Sequence, residues 1–523
     1  MKFLVTLLLL ITTTYVKASD SIHLKEGDFL KGKFTVLANQ SMTLTVRFPD
    51  QSERRLLHDV TGSQEFMFKA ENNGNAYFIV TAANDEKSNT AYRIDILQHI
   101  PIEKQNALPA KLQSPEMQRF AEELQQESDK VKQKVLVDNF WALRKKEGTP
   151  LIEPSSKSDH NLVTFLWRGA KNNVILWGAP SFDREPLERL GESDIWFKTF
   201  DVRNDTLISY RFAPDVPTLP LDKLQQRRAL LSTLQADPLN SMTYPIEAST
   251  LDKFNYSSVL ALDKAPFRRY TTGQNNIPKG KLLSYSFTSK LLNNSRRIFV
   301  YFPANLDKEN SAFLLAFFFD GKEYTEQVRT PDILDNLIAA EKIPPTIAVF
   351  IDNPSYDSRR TELPPNPAFV KMLSEELYPW ITEQLNIQPQ NTHTILVGSS
   401  YGGLAAAYIA GQYPHLFGNV LAMSGSFWWK AADSPSNENN YIARLYATMP
   451  KQNINFFLSA GRYEASRNGE FDILNSSRHL NDVLIAKGYP VSYKEYTTDH
   501  SYFVWQYILP EGLSTLIEMI EKK

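Results

Sequence analysis

Thr394-Ile-Leu-Val-Gly-Ser-Ser-Tyr-Gly-Gly-Leu-Ala-Ala-Ala-Tyr408 opens on a short β-favouring apolar run, breaks at small residues around a serine, and resumes with alanine-rich helix formers. A pattern of that kind reads as strand, turn and helix. Gly398-Ser399-Ser400-Tyr401-Gly402 is then G-x-S-x-G, the pattern of a nucleophile elbow. Such a turn holds its central residue in a strained conformation, so the positions two before and two after it need to lack side chains. Ser400 is the expected nucleophile.

The segments around this stretch follow the same grammar. Ile298-Phe-Val-Tyr-Phe302, Phe313-Leu-Leu-Ala-Phe-Phe-Phe319, Thr346-Ile-Ala-Val-Phe-Ile351 and Ile395-Leu-Val397 alternate with helical stretches such as 369–385. Continuous apolar strands between helices indicate a mainly parallel sheet covered on both faces. Residues 278–523 are therefore read as an α/β domain of the α/β-hydrolase type. In that arrangement the triad runs serine, acid, histidine, which leaves His415, His479 and His500 as candidates for the base. His500 follows the strand-like Val491-Ser-Tyr-Lys-Glu-Tyr496 and sits where a base at the carboxyl edge of the sheet belongs, whereas the other two read as surface or capping histidines. Glu464, in the loop after Asn455-Phe-Phe-Leu-Ser459, is the first choice for the acid and Asp472 the second. An oxyanion hole needs two backbone N–H groups. Tyr401, after the nucleophile, supplies one, and Lys322, in the loop closing Phe317-Phe-Phe-Asp-Gly-Lys322, supplies the other, although Asp320-Gly321 taken alone is an ordinary turn.

Upstream the period changes. Alternating runs from residue 21 to about 100, among them Met42-Thr-Leu-Thr-Val-Arg-Phe48 and Tyr77-Phe-Ile-Val80, predict a small β-sandwich over 19–108. A charged stretch over 109–134, with Met117, Phe120, Leu124 and Val131 at near-helical spacing, predicts a linker helix. A second β-sandwich is expected over 135–250, with Trp167, Trp177 and Trp196 in its core, followed by a connection over 251–277. All the proposed triad and oxyanion residues lie beyond Pro278, so the chemistry is expected in the last domain.

The chain has 523 residues, 42% hydrophobic and 12% aromatic, which is enough for several packed domains. A net charge of -2 gives no global field to recruit nucleic acid or an acidic membrane surface. Lys2, the apolar run 3–11 and Val16-Lys-Ala18 read as a secretory signal over 1–18, too short to span a bilayer, so a periplasmic protein with no stable membrane insertion after cleavage is expected. With no cysteines, disulfides, thiolate metal sites and thiol catalysis are excluded.

Three further segments carry a family resemblance. Ile351-Asp-Asn-Pro-Ser-Tyr-Asp-Ser-Arg-Arg-Thr-Glu-Leu-Pro-Pro-Asn366, Gly398-Ser-Ser-Tyr-Gly-Gly-Leu404 and Met423-Ser-Gly-Ser-Phe-Trp-Trp429 resemble the catalytic domain of enterochelin esterases, which hydrolyse ferric catecholate siderophores. The family's R-x-x-E-L falls on Arg359, Glu362 and Leu363, and its G-x-x-E on Gly461 and Glu464. Phe140-Trp141, Gly148-Thr-Pro-Leu-Ile-Glu-Pro154, Val163-Thr-Phe-Leu-Trp-Arg168 and Ala236-Asp-Pro-Leu-Asn240 are similar to the N-terminal domain of cytoplasmic members, which lack the signal and the first sandwich seen here. The resemblance implies a serine esterase without cofactor or metal of its own, iron arriving with the substrate. A ferric tris-catecholate is an aromatic trianion, so Arg359, Arg360, Trp428 and Trp429 are the expected substrate contacts, and the family's R-x-x-E-L implies Glu362 beside them. A structural Arg359–Glu362 pair and core positions for the two tryptophans are the competing readings. At the level of function, the alternatives are a feruloyl or acetyl esterase acting on polysaccharide and a non-catalytic siderophore-binding module.

Overall fold

A computed structural model describes residues 14–16, 21–37, 41–82, 92–102, 112–178, 180–181, 184–217, 223–245, 252–266, 270–304, 306, 313–431, 434, 440–465 and 472–522. The chain divides into two compact units, residues 1–111 and 112–523. The expected signal, 1–18, falls outside the described residues apart from Thr14–Val16.

The larger unit is built on an eight-stranded sheet. Its strands, numbered within this sheet, are β1 (Lys281–Ser289), β2 (Asn294–Phe302), β3 (Leu314–Phe319), β4 (Thr346–Ile351), β5 (Thr394–Ser399), β6 (Asn419–Met423), β7 (Asn455–Gly461) and β8 (Val491–Tyr496). They lie in the order β1-β2-β4-β3-β5-β6-β7-β8. The β1/β2 and β2/β4 pairs are antiparallel, and every pair from β4 to β8 is parallel. Each residue of β3, β4 and β5 is buried, as expected for strands covered on both faces. Successive side chains point to opposite faces, so Leu315, Phe317 and Phe319 pack into one core with Leu404 and Leu373, while Leu314, Ala316 and Phe318 pack into the other with Leu334 and Leu513. All parallel strands end on the same edge, and loops at that edge are where an α/β sheet places its site.

Residues 151–261 form two further sheets, four and five strands in size. Their facing residues, including Val163, Phe165, Leu176, Trp196, Tyr210 and Phe212, make one core, with Trp167 packed against it. Trp177 joins a smaller cluster with Ala213 and Leu230. This region and the large sheet belong to one compact unit.

Two expectations are corrected here. The helical stretch is a pair of helices, Pro115–Gln126 and Lys130–Glu147, so helix continues to Glu147, past the expected start of the sandwich at 135. Met117 is buried but Val131 is exposed, because the chain breaks between the helices at Ser128-Asp129, where Asp129 caps the second. The supposed connection 251–277 contains the strand Ser257–Ala261, which pairs with Leu207–Pro214 and Thr243–Tyr244. Its residues from Ser257 to Leu260 are all buried; a short strand with no alternation carries little periodic signal.

The first unit has two four-stranded antiparallel sheets. Strand Met42–Arg47 alternates buried and half-buried along its whole length, and Leu30, Phe34, Leu44, Phe48 and Phe68 fill the core.

Candidate active site

Ser400 stands between β5 and the helix Tyr401–Gln412 with φ 55° and ψ −122°, a conformation that a residue with a side chain rarely adopts. The turn is fastened on both sides. Ser400 N–H donates to the Met423 carbonyl (3.1 Å), and the Ser400 carbonyl accepts from the N–H groups of Leu404 (3.1 Å) and Ser426 (3.0 Å). A Cβ on Gly398 would lie 2.3 Å from the Gly402 carbonyl carbon, which leaves glycine as the residue that fits. A Cβ on Gly402 would come within 3.2 Å of the Phe319 Cβ, so the start of the elbow helix lies against the end of β3.

Glu464 and His500 follow β7 and β8 at the same edge. His500 Nδ1 lies 2.6 Å from Glu464 Oε1. With the carboxylate ionised, Nδ1–H is the donor, the bond is charge-assisted, and Nε2 is left as the basic nitrogen. The second carboxylate oxygen accepts from Gly461 N–H (2.6 Å), and the Glu464 side chain is completely buried while His500 keeps a quarter of its side chain exposed. Gly461 permits this packing, since a Cβ there would lie 2.5 Å from the Thr498 carbonyl oxygen. His500 is joined to the elbow through Trp505, whose ring centroid is 5.0 Å from that of His500 and whose Nε1–H donates to Ser424 Oγ (3.1 Å), next to Met423. Asp472 is elsewhere occupied: it caps the helix Ile473–Ala486 by accepting from Asn475 N–H (3.0 Å). His415 and His479 are exposed.

The helix Gly321–Glu326 starts directly after β3, and amides of a first helical turn have no carbonyl within the helix. Lys322 N–H belongs to that turn and Tyr401 N–H to the first turn of the elbow helix. A Cβ on Gly321 would meet the Phe350 and Ile351 backbone at 2.7–2.8 Å, so glycine lets this turn settle on β4.

The charged residues are arranged differently from the expectation. Arg359 does not pair with Glu362; its Nε and Nη2 donate to the two oxygens of buried Asp320, at 2.6 and 2.8 Å. Burial works against the guanidinium charge, but the Asp320 carboxylate outweighs it and holds Arg359 above its ordinary pKa. Glu362 is buried and accepts from Arg296 Nη2 (2.9 Å) and Asn294 Nδ2 (2.8 Å), so this carboxylate is a structural partner and not a substrate contact. Arg360 is exposed and makes no ion pair among the described residues; its guanidinium lies 5.9 Å from the Tyr356 ring centroid. Trp428 is half-buried beside Tyr401, at 6.2 Å between centroids, whereas Trp429 packs on Tyr441 at the edge of the core. Among the described residues, no group of three or more His, Asp or Glu side chains is placed to hold a metal ion.

Three participants escaped the sequence reading. Ser426 brings its Oγ to 3.3 Å from Ser400 Oγ. Asp320 was visible only as half of a turn. Asp499, next to His500, is buried, and burial, with the charge of Glu464 adding, pushes its carboxyl up to about 7. A carboxyl raised in the folded state contributes its stability fully below the unfolded value, and loses it as pH rises through the folded one. The thermal midpoint of the wild type should therefore fall, relative to Asp499→Asn, between about pH 4 and pH 8, by an amount worth at most about 4 kcal/mol. Parallel midpoint-against-pH curves for the two proteins would refute the assignment.

Two family models match this chain: "Enterochelin esterase, N-terminal" over residues 162–270 and "Putative esterase" over residues 289–516. The iron(III) enterobactin esterase of Dickeya dadantii is 27% identical over 414 residues, covering 72% of this chain and 92% of the relative. The iron(III) salmochelin esterase of Escherichia coli is 27% identical over 399 residues, covering 72% and 93%. Among solved structures, ferric enterobactin esterase from Salmonella typhimurium superposes with a TM-score of 0.59 at 23% identity, covering 73% of this chain and 100% of that one. The Shigella flexneri enterobactin esterase crystallised in the presence of enterobactin gives 0.58 at 23%, covering 72% and 98%. At that identity the superpositions establish a shared fold.

Proposed function

Since the chain belongs to the enterochelin esterase family, we propose that it is a serine esterase that opens the trilactone of a ferric catecholate siderophore and so releases the iron. The observation that carries the chemistry is the buried Glu464 carboxylate 2.6 Å from His500 Nδ1, on the sheet edge where Ser400 is held at φ 55°. In this reading Ser400 Oγ attacks a lactone carbonyl while His500 Nε2 takes its proton. His500 then returns the proton to the departing alkoxide, and water repeats the sequence on the acyl-enzyme. Tyr401 and Lys322 N–H groups receive the oxyanion. The exported setting expected from residues 1–18 belongs to the same proposal: the protein works in the periplasm.

Substrate selection is assigned to Arg360 and Trp428. Arg360 is an exposed guanidinium without a carboxylate partner among the described residues, and Trp428 is a half-buried aromatic surface beside Tyr401. Arg359, spent on Asp320, holds the turn that bears the Lys322 amide. The test is kcat/KM on a ferric catecholate trilactone and on p-nitrophenyl acetate. Arg360→Gln should lose roughly ten- to a hundredfold on the trianion, from a charge-assisted contact of about 1.5–3 kcal/mol, and almost nothing on the neutral ester. Arg359→Gln should depress both substrates and lower stability by about 3–5 kcal/mol, because it leaves the buried Asp320 side chain without its cation, with Asn353 Nδ2 as its remaining side-chain donor. Wild-type enzyme that ignores every catecholate trilactone yet releases ferulate from a feruloyl sugar would overturn the substrate proposal.

A further inference from the structure

The loop that carries His500 is attached to the β-sandwich region as well as to its own sheet. Strand Leu207–Pro214 enters that region's core through Ile208, Tyr210 and Phe212, yet its first residues contact the segment 497–501. Leu207 N–H donates to the Thr497 carbonyl (3.0 Å), and Leu207 forms a parallel bridge with Thr498. Ser209 N–H and Ser209 Oγ both donate to Asp499 Oδ2 at 3.3 Å, while Ser501 Oγ donates to Asp499 Oδ1 at 2.9 Å. The turn bearing Glu464 is held from the same side. Tyr463 N–H donates to the Thr498 carbonyl (3.3 Å), its hydroxyl meets Thr206 Oγ at 2.7 Å, and its ring packs against the sandwich core.

We infer that strand Leu207–Pro214 is a positioning element for the His500–Glu464 pair, with Asp499 and Tyr463 as the positioning residues through which the sandwich region sets the geometry of the base and its acid. The inference rests on His500 being the base. Both members of the pair have an immediate neighbour in the chain, Asp499 or Tyr463, anchored to Thr206–Ser209, so a displacement of that strand is passed to the imidazole. A misplacement of about 1 Å at a catalytic group is enough for a loss of about 10²-fold. The family resemblance implies that the middle region helps to enclose substrate; these contacts give it a part in the chemical step on any substrate, large or small. A chain cut at Pro278 would lose the anchors along with the enclosure.

The experiment uses the full chain with p-nitrophenyl acetate, too small to need enclosure, and compares Asp499→Ala, Asp499→Asn and His500→Ala. Asp499→Ala removes the carboxylate that accepts from Ser209 N–H, Ser209 Oγ and Ser501 Oγ, leaving only the Ser209–Ser501 hydroxyl contact at 3.3 Å. It should lower kcat about ten- to a hundredfold with KM unchanged. Asp499→Asn retains a carbonyl oxygen for Ser209 and an amide facing Ser501, and it should recover kcat to within about threefold of wild type. A purely structural role predicts a lower thermal midpoint with kcat intact, and that result, or a rise in KM alone, overturns the inference. Should Asp499→Ala not fold, the double variant Ser209→Ala/Tyr463→Phe carries the same test: lowered kcat supports the coupling and unaltered kcat rejects it. His500→Ala separates the two levels of argument. If it stays active, the assignment of the base fails; if it is inactive while the anchor variants turn over normally, only the positioning inference falls.

Discussion

Replacing Ser400 by alanine should lower kcat by about 10⁶-fold, leaving the residue of catalysis that an oxyanion hole and substrate binding provide without a nucleophile. The expectation follows from the backbone as much as from the hydroxyl. At φ 55° and ψ −122° a serine is strained by an amount of order 1–3 kcal/mol, and the surrounding bonds to Met423, Leu404 and Ser426 hold it there. Ser400→Gly should accordingly be as inactive as Ser400→Ala and yet more stable than wild type by about 1 kcal/mol, because glycine tolerates that conformation. Two neighbouring hydroxyls provide controls: Ser399 is buried, and Ser426 Oγ lies 3.3 Å from Ser400 Oγ. An organophosphonate should label Ser400 and leave both neighbours unmodified. Mass-spectrometric mapping of the adduct to Ser399 or Ser426, or residual turnover in Ser400→Ala above one part in a thousand, would end the assignment.

Glu464→Gln should lower kcat by up to about 10⁴-fold with KM nearly unchanged. The carboxylate accepts from Gly461 N–H with one oxygen and faces His500 Nδ1 with the other, at 2.6 Å each, and no part of the side chain reaches solvent. A glutamine of the same shape can turn its amide N–H₂ toward Nδ1, which favours the tautomer with the proton on Nε2 and removes the base. It also leaves the imidazolium of the transition state without its counter-charge. Asp472→Asn is the comparison that decides. Asp472 caps a helix, and asparagine caps about as well, so turnover and stability should both stay near wild type. If Asp472→Asn were the more damaging change, the acid would have to be sought there and the short Glu464–His500 contact would be structural.

How much of this was legible in the sequence depended on the range of the interaction concerned. Ser400 and Glu464 each follow a buried, largely apolar strand and His500 a half-buried mixed one, and parallel strands connected by helices bring their carboxyl ends to one edge, so local pattern and fold class sufficed to nominate all three. Glu464 and Asp472 lie only eight positions apart, and the choice between them turned on which carboxylate is buried beneath His500 and which ends a helix. The partners of the charged residues were out of reach for the same reason. Arg359 and Glu362 are three apart on one helix, the spacing of a local pair, yet Arg359 meets Asp320 and Glu362 meets Arg296 because β3 and β2 bring those side chains closer than the helix brings the pair to each other.

By itself, the order of apolar runs, glycines and one serine determined the α/β-hydrolase sheet, the elbow and the edge that carries Ser400, Glu464 and His500, because strand burial, turn strain and helix propensity are properties of a few consecutive residues. The tertiary structure alone decided which carboxylate meets His500, which arginine makes no ion pair among the described residues, and that strand Leu207–Pro214 reaches the histidine loop. Ser209 and Asp499 are 290 positions apart, and no local pattern encodes a hydrogen bond across that separation. It exists because two cores distant in sequence pack together and bring a backbone N–H and two hydroxyls to a carboxyl group that burial has left in need of them.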